Sequence, residues 1–294
     1  MYNIILFYKY TKIKDPTLEM NLQRGACEVL GLKGRTILAE EGINSTLEGK
    51  TEDIDKYINW MNNRESFKSI HWKRSSSNND SFPKLSIKVK NEIVSLHLDK
   101  DKDINPNKIT GKKLKPEDLK NWYNEKKEFA IVDMRNDYEL KVGKFKDTVF
   151  PGMENFRDLK DQVKKIDNLK NKTILTVCTG GIRCEKASGF LLKEGFKDVY
   201  QLDGGIVSYM EKYPGQDFEG SLYVFDKRIT INFDSPSNHK IIGQCERCFS
   251  PSEEYINCMD MSCHKHIIIC EKCKNVGLYC SLHINQLENI KENG

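Results

Sequence analysis

An apolar run broken only by Lys9 occupies residues 4–10 (Ile4, Ile5, Leu6, Phe7, Tyr8, Tyr10) and predicts a strand from Asn3 to Tyr10. Over 16–30 the apolar residues Leu18, Leu22, Ala26, Val29 and Leu30 fall at the spacing of one helical face. Gly31 and Gly34 then read as its stop. A strand over 35–39, a turn at Glu41-Gly42, a strand through Thr46 and Leu47, a helix over 52–61 and a strand-pair region over 85–98 complete a βαββαβ order. After a polar stretch over 99–111, a helix opens near Pro116, and an apolar strand over 129–133 ends in Asp133-Met134-Arg135. A further apolar run (Ile174, Leu175, Val177) leads into Cys178, followed by a helix over 185–193 with Ala187, Phe190, Leu191 and Leu192 inward. A short strand over 199–202 and a helix from Ile206 to about Tyr213 close this alternation.

The first order is that of a ferredoxin-like, or acylphosphatase-like, α+β sandwich, expected over 1–100. The second, expected over 112–218, specifies an open, doubly wound, mostly parallel α/β sheet with Cys178 at the carboxyl end of a strand, where ligands bind in such sheets. A third, Cys-rich segment is expected over 240–290. Length agrees with this division, since 294 residues suffice for two or three ordinary domains.

The stretch Cys178-Thr179-Gly180-Gly181-Ile182-Arg183 carries the chemistry. Backbone N–H groups of a Gly-rich turn at a helix start have no intrahelical partner, and the helix adds partial positive charge. A thiol placed there ionises more readily than a free one and becomes a nucleophile. The spacing is Cys-x4-Arg, one residue tighter than the Cys-x5-Arg loop that cradles a phosphoryl group. It suits a sulfur carried on Cys178 and resembles the loop of rhodanese domains, whose working form is a cysteine persulfide. Asp133 and Arg135 read as braces of this loop rather than as reacting groups.

Net charge is mild at +4, which permits contact with nucleic acid without requiring it. Two cationic segments, 68–74 with His71 and Trp72 interleaved and 84–90, read equally well as an RNA-tracking surface and as solvated lysine faces. His97 and Asp99 could share a strand face as half of an iron-binding triad, against a default of a polar edge-strand pair. No signal-like start and no apolar run of membrane-spanning length is present, so a soluble cytoplasmic protein is expected.

Ten cysteines occur, and seven of them fall between 245 and 280. Cys245-x2-Cys248, Cys258-x4-Cys263, Cys270-x2-Cys273, then Cys280 and His283, offer eight donors, enough for two structural zinc ions. Their pairing is not fixed by spacing, and His264 is an alternative ligand.

Five blocks together narrow the resemblance. Residues 39–44 (Ala-Glu-Glu-Gly-Ile-Asn), 82–85 (Phe-Pro-Lys-Leu), 178–186 (Cys-Thr-Gly-Gly-Ile-Arg-Cys-Glu-Lys), 202–206 (Leu-Asp-Gly-Gly-Ile) and 224–228 (Val-Phe-Asp-Lys-Arg) are similar to the signature blocks of rhodanese-like tRNA uridine-34 hydroxylases. The resemblance implies oxygen-dependent conversion of the wobble uridine of certain tRNAs to 5-hydroxyuridine, with tRNA as partner and Cys178 as the active thiolate or persulfide. Dioxygen would be co-substrate with an unidentified reductant, no stable protein partner is expected, and Arg183 would support the loop. Ser45, Met134 and Lys144 depart from the usual Gly, Val and His, and His283 stands one position before the family's more frequent Cys. Residues alone, lacking any dinucleotide fingerprint, point instead to a sulfurtransferase using a Cys178 persulfide. A third reading, a zinc-dependent binding module on a relic fold, is opposed by the intact Cys178-to-Arg183 loop.

Overall fold

The computed structural model describes residues 1–99, 104–234, 239–263 and 265–284. The first unit runs β1 (Tyr2–Tyr10), α1 (Pro16–Val29), β2 (Lys33–Ala39), β3 (Gly42–Lys50), α2 (Thr51–Asn62), β4 (Lys73–Ser77) and β5 (Leu85–Val89). Its sheet has the order β4-β1-β3-β2-β5, antiparallel except for the β2–β5 pair. Side chains alternate across a strand. Ile5 and Phe7 therefore meet Leu47, Ile54 and Tyr57 in the core under the helices, while Ile4, Leu6 and Tyr8 face away from it.

Five expectations for this unit change. Helix α1 is turned by about one residue from the face read in the sequence. Glu19, Gln23 and Cys27 are buried, whereas Leu18, Leu22 and Val29 are exposed. A polar network makes the difference: Gln23 Nε2 donates to Glu19, Tyr57 donates to Gln23, and Arg64 forks onto Glu19 at 2.7 and 2.6 Å. Gly31, at φ +63°, follows the helix end, but Gly34 lies within β2. The second half of the 85–98 region is a loop, and the fifth strand is β4, carved from the cationic segment. His97 lies in that loop at φ +54° and is exposed, so the alternation that would pair it with Asp99 for iron is absent. Trp72 packs on Phe7 at 4.5 Å between ring centres, which removes it as a free base-stacking platform.

The second unit comprises β6 (Lys112–Leu114), α3 (Pro116–Asn124), β7 (Ala130–Asp133), α4 (Asp137–Leu140), β8 (Gly143–Phe145), α5 (Leu159–Gln162), β9 (Thr173–Val177), α6 (Ile182–Lys193), β10 (Asp198–Leu202) and α7 (Gly205–Lys212). Strands β6, β10, β9 and β7 form a fully parallel sheet in that order. One face packs on Phe190, Leu191 and Ile166, and the other on Leu119, Ile206 and Tyr209, the two-sided cover that parallel sheets require. Strand β11 (Phe218–Gly220) returns to β8, and β12 (Leu222–Tyr223) pairs with β13 (Thr230–Ile231). The Cys-rich segment contains the hairpin of β14 (Tyr255–Asn257) and β15 (His266–Ile268) and a one-turn α8 (Glu271–Lys274). No helix among the described residues is long and apolar enough to cross a membrane.

Candidate active site and metal centres

Strand β9 delivers Cys178 into the turn that starts α6. Gly181 takes the N-cap position at φ +96°, where a side chain is disfavoured. The N–H of Gly181 donates to Cys178 Sγ at 3.2 Å. Helix α7 ties into the same loop: Ile206 N–H donates to the Cys178 carbonyl at 3.0 Å and Val207 N–H to that of Thr179 at 3.1 Å. Gly205 permits this approach, because a Cβ there would lie 2.6 Å from Gly181 N and 2.7 Å from Cys178 O. Burial opposes ionisation of Cys178. A hydrogen bond from Cys184, the positive charge of Arg183 and backbone N–H groups outweigh it and hold the thiol down to about 6. Cys184, equally buried, is pushed well up by burial and by its partner thiolate.

Arg183 does not reach into the loop for an anion. Its guanidinium forks onto Glu139 at 2.5 and 2.9 Å, and Thr179 Oγ1 shares the same carboxylate at 3.3 Å. Glu139 is held in turn by Asn136 N–H at 2.9 Å. Arg135, fully buried against Asp133, donates to the carbonyls of Glu139 and Gly143. Asp133 and Arg135 thus act on the loop through Glu139, a residue whose part the sequence did not announce. Only the Asn136-x-x-Glu139 capping box was available as a signal.

The helix-free face of the first sheet covers the loop. A Cβ on Gly180 would stand 3.0 Å from Leu6 Cδ2, and one on Gly181 3.0 Å from the Tyr8 hydroxyl. Tyr8 donates to Glu185 at 3.2 Å and Tyr10 to the Ile182 carbonyl at 3.3 Å. Lys186, fully buried, bridges Glu41 and Glu92 at 2.8 Å each, and Arg228 reaches Ser75 at 3.1 Å. Cys178 is consequently 0% exposed. Beside it, between the sheet face and the loop, lies a cavity of about 360 Å³. Ile4, Leu6 and Ile37 form its apolar floor, Thr179, Gly180 and Arg183 one wall, and Arg35, Arg157 and Phe225 line it as well. Arg35 and Arg157 have no ion-pair partner among the described residues, while Lys84, Lys88 and Lys90 remain exposed lysines.

The eight donors of the Cys-rich segment assemble into two groups, Cys245, Cys248, Cys270 and Cys273 in one and Cys258, Cys263, Cys280 and His283 in the other. Within each, the ligating atoms lie within 4.8 Å of one another. The pairing is interleaved: the first and third pairs share a group, as do the second pair and the last two donors. Arg247 braces the fold by donating to the carbonyls of Cys273, Gly277 and Tyr279. His264 lies outside the described residues. Thiolate and imidazole sets of four suit a tetrahedral soft-ligand metal, so either group could hold an ion.

The fold and loop define a rhodanese-domain protein fronted by an acylphosphatase-like unit and followed by a Cys-rich module. Sequence profiles agree: the UPF0176 acylphosphatase like domain matches residues 2–93, the Rhodanese-like domain 115–212 and the Rhodanase C-terminal 219–283. A tRNA uridine(34) hydroxylase of Cytophaga hutchinsonii is 42% identical over 92% of this chain and 86% of its own length. Proteins of the same name from Aster yellows witches'-broom phytoplasma and Bacillus mycoides are 45% and 39% identical over 91% and 96% of the chain, and 86% and 88% of their own. The chain belongs to the tRNA uridine(34) hydroxylase family.

Proposed function

We propose that the protein hydroxylates the wobble uridine of tRNA to 5-hydroxyuridine, with Cys178 as the active thiolate. The observation that carries the chemical part is the Cys178 loop. A thiol held down to about 6 is ionised at neutral pH, and the Glu139–Arg183 pair and α7 fix it in place. Thiolate addition to C6 of the uracil ring makes C5 electron-rich. Dioxygen then supplies one oxygen atom to C5, and a two-electron reductant with two protons converts the other to water. Loss of the C5 proton and of the sulfur restores the aromatic ring and the thiolate. The substrate locates this work in the cytoplasm.

The Cys-rich module supplies rigidity, and we assign it two structural zinc ions on the two donor groups. When bound, zinc would reinforce the small apolar cluster of Ile267, Ile269 and the partly buried Ile256 and Tyr279 that is all the core this module has among the described residues. The sulfurtransferase reading is less favoured, because the relatives that match almost the whole chain are named tRNA uridine(34) hydroxylase. The test is mass analysis of wobble uridines from a strain lacking its own hydroxylase and expressing this chain. Restored 5-hydroxyuridine supports the proposal. Its absence, with thiocyanate formed from thiosulfate and cyanide by the purified protein, supports sulfur transfer instead.

A further inference from the structure

Lys73 is an anomaly on the cavity wall. It opens β4 opposite Leu6 of β1, and antiparallel partners share a face, so both side chains point toward the Cys178 loop. Lys73 is only 5% exposed, yet its ammonium makes no hydrogen bond or ion pair among the described residues. It lies over the Tyr8 ring, 5.4 Å from the centroid, and also borders a second recess with Asp203 and Lys113. Burial lowers its pKa to about 8, against the charges of Cys178, Asp203 and Glu211, which raise it, and of Lys113, which lowers it. A buried unpaired cation is costly to the folded state. Groups kept at such a cost belong to sites where charge develops.

We propose that the inter-domain cavity receives a single extruded uridine and that Lys73 is the cationic partner of the negative charge that forms on its ring carbonyl during reaction. This rests on the hydroxylase reading above and deepens it. The cavity volume of about 360 Å³ falls in the range of small-ligand sites. Enzymes acting on a base commonly take it out of its stack, holding the ring between apolar or aromatic side chains. Here Ile4, Ile37 and Phe225 offer those surfaces, Asn44 an amide for the ring edge, and Arg35 and Arg157, without an ion-pair partner among the described residues, contacts for flanking phosphates.

The electron count explains the cation. When the Cys178 sulfur bonds to C6, the C5–C6 π pair moves into an enolate, and the negative charge passes from sulfur to O4. No proton is consumed in this step. An ammonium in a water-poor cavity stabilises the enolate more than the neutral ring, which is the differential binding that accelerates a reaction. Cys178 itself is not on the cavity wall, since Gly180 and Leu6 stand before it. Entry of the ring therefore includes displacement of Leu6 and Tyr8.

The test compares full-length wild type with Lys73→Met and Lys73→Arg. The readouts are melting temperature, affinity for an anticodon stem-loop RNA carrying wobble uridine, and 5-hydroxyuridine content in the complemented deletion strain. Met keeps the chain length and removes the buried charge. The expected result is a melting temperature unchanged or raised, RNA affinity within about threefold of wild type, and modification reduced at least about thirtyfold, with partial recovery in Lys73→Arg. Full modification by a folded Lys73→Met protein overturns the proposal. So does an affinity loss of tenfold or more, with a salt slope smaller by about one and modification restored at high RNA concentration, which would make Lys73 a phosphate contact. If wild type itself restores no 5-hydroxyuridine, the hydroxylase reading has failed before the Lys73 comparison begins.

Discussion

Replacing Lys186 by Met removes the centre of the latch that closes the first sheet over the cysteine loop. The ammonium is fully buried, and its two partners, Glu41 and Glu92, retain 20% and 16% side-chain exposure. Removing one member of a buried ion pair costs about 3–5 kcal/mol. Partial solvation of both carboxylates places this case near the lower end, about 3 kcal/mol, or roughly 150-fold in the folded-to-unfolded ratio. Urea unfolding followed by tryptophan emission reads the loss, because Trp60 and Trp72 pack against the core of the first unit. The pH dependence carries a sign as well. Glu41 is already raised by burial despite Lys186, whereas Glu92, although burial opposes its charge, is held low by Lys186 and by the N–H groups of Leu96 and His97. Without Lys186 both carboxyls rise above their unfolded value of about 4.3, so their contribution is favourable at low pH and lost as pH increases through the folded values. In wild type, the Glu92 contribution is instead lost as pH falls. The gap between the two proteins should therefore narrow from pH 7 to pH 5. A loss under about 1 kcal/mol, or a gap that widens on acidification, would refute the latch.

Arg183→Lys should lose most wobble-uridine modification, since Lys cannot reproduce the two-pronged contact with Glu139, and Glu139→Gln should share the defect; wild-type modification by both would leave Arg183 with a packing role only. Elemental analysis of protein purified without chelator should give up to two zinc ions per chain, with one lost in Cys273→Ser and the other in Cys258→Ser; a metal-free yet protease-resistant segment would remove the zinc assignment. Alkylation of Cys178 followed by peptide mass mapping should rise with pH through a midpoint near 6, as the thiolate forms, and should be slow because the thiol is covered; a midpoint above 8 would contradict the lowered pKa.

What the sequence made legible was whatever depends on local order: the strand-turn-helix around Cys178, the parallel α/β alternation and the spacing of metal donors. What it hid depends on distant partners. The apolar pattern of α1 favoured Leu18 and Leu22 as the inner face. Glu19 and Gln23 won that position because Arg64 and Tyr57, on another element, satisfy them. Glu139 is 44 residues from Arg183, and Glu92 is 94 from Lys186, so neither pairing has a local signature. The Cys-x2-Cys spacings fixed which thiols are neighbours in a knuckle but not that the two donor groups interleave. Lys73 read as one lysine in a cationic run, and only the β1–β4 register turns it inward beside Leu6.

The most direct test of the account is nucleoside mass analysis of tRNA from a hydroxylase-deletion strain expressing wild type, Cys178→Ser or Cys184→Ser. 5-Hydroxyuridine is expected with wild type, none with Cys178→Ser although the protein is folded, and a substantial remainder with Cys184→Ser, whose thiol donates to the thiolate. Full modification by the Cys178→Ser protein would contradict it, because a serine hydroxyl does not ionise in that loop.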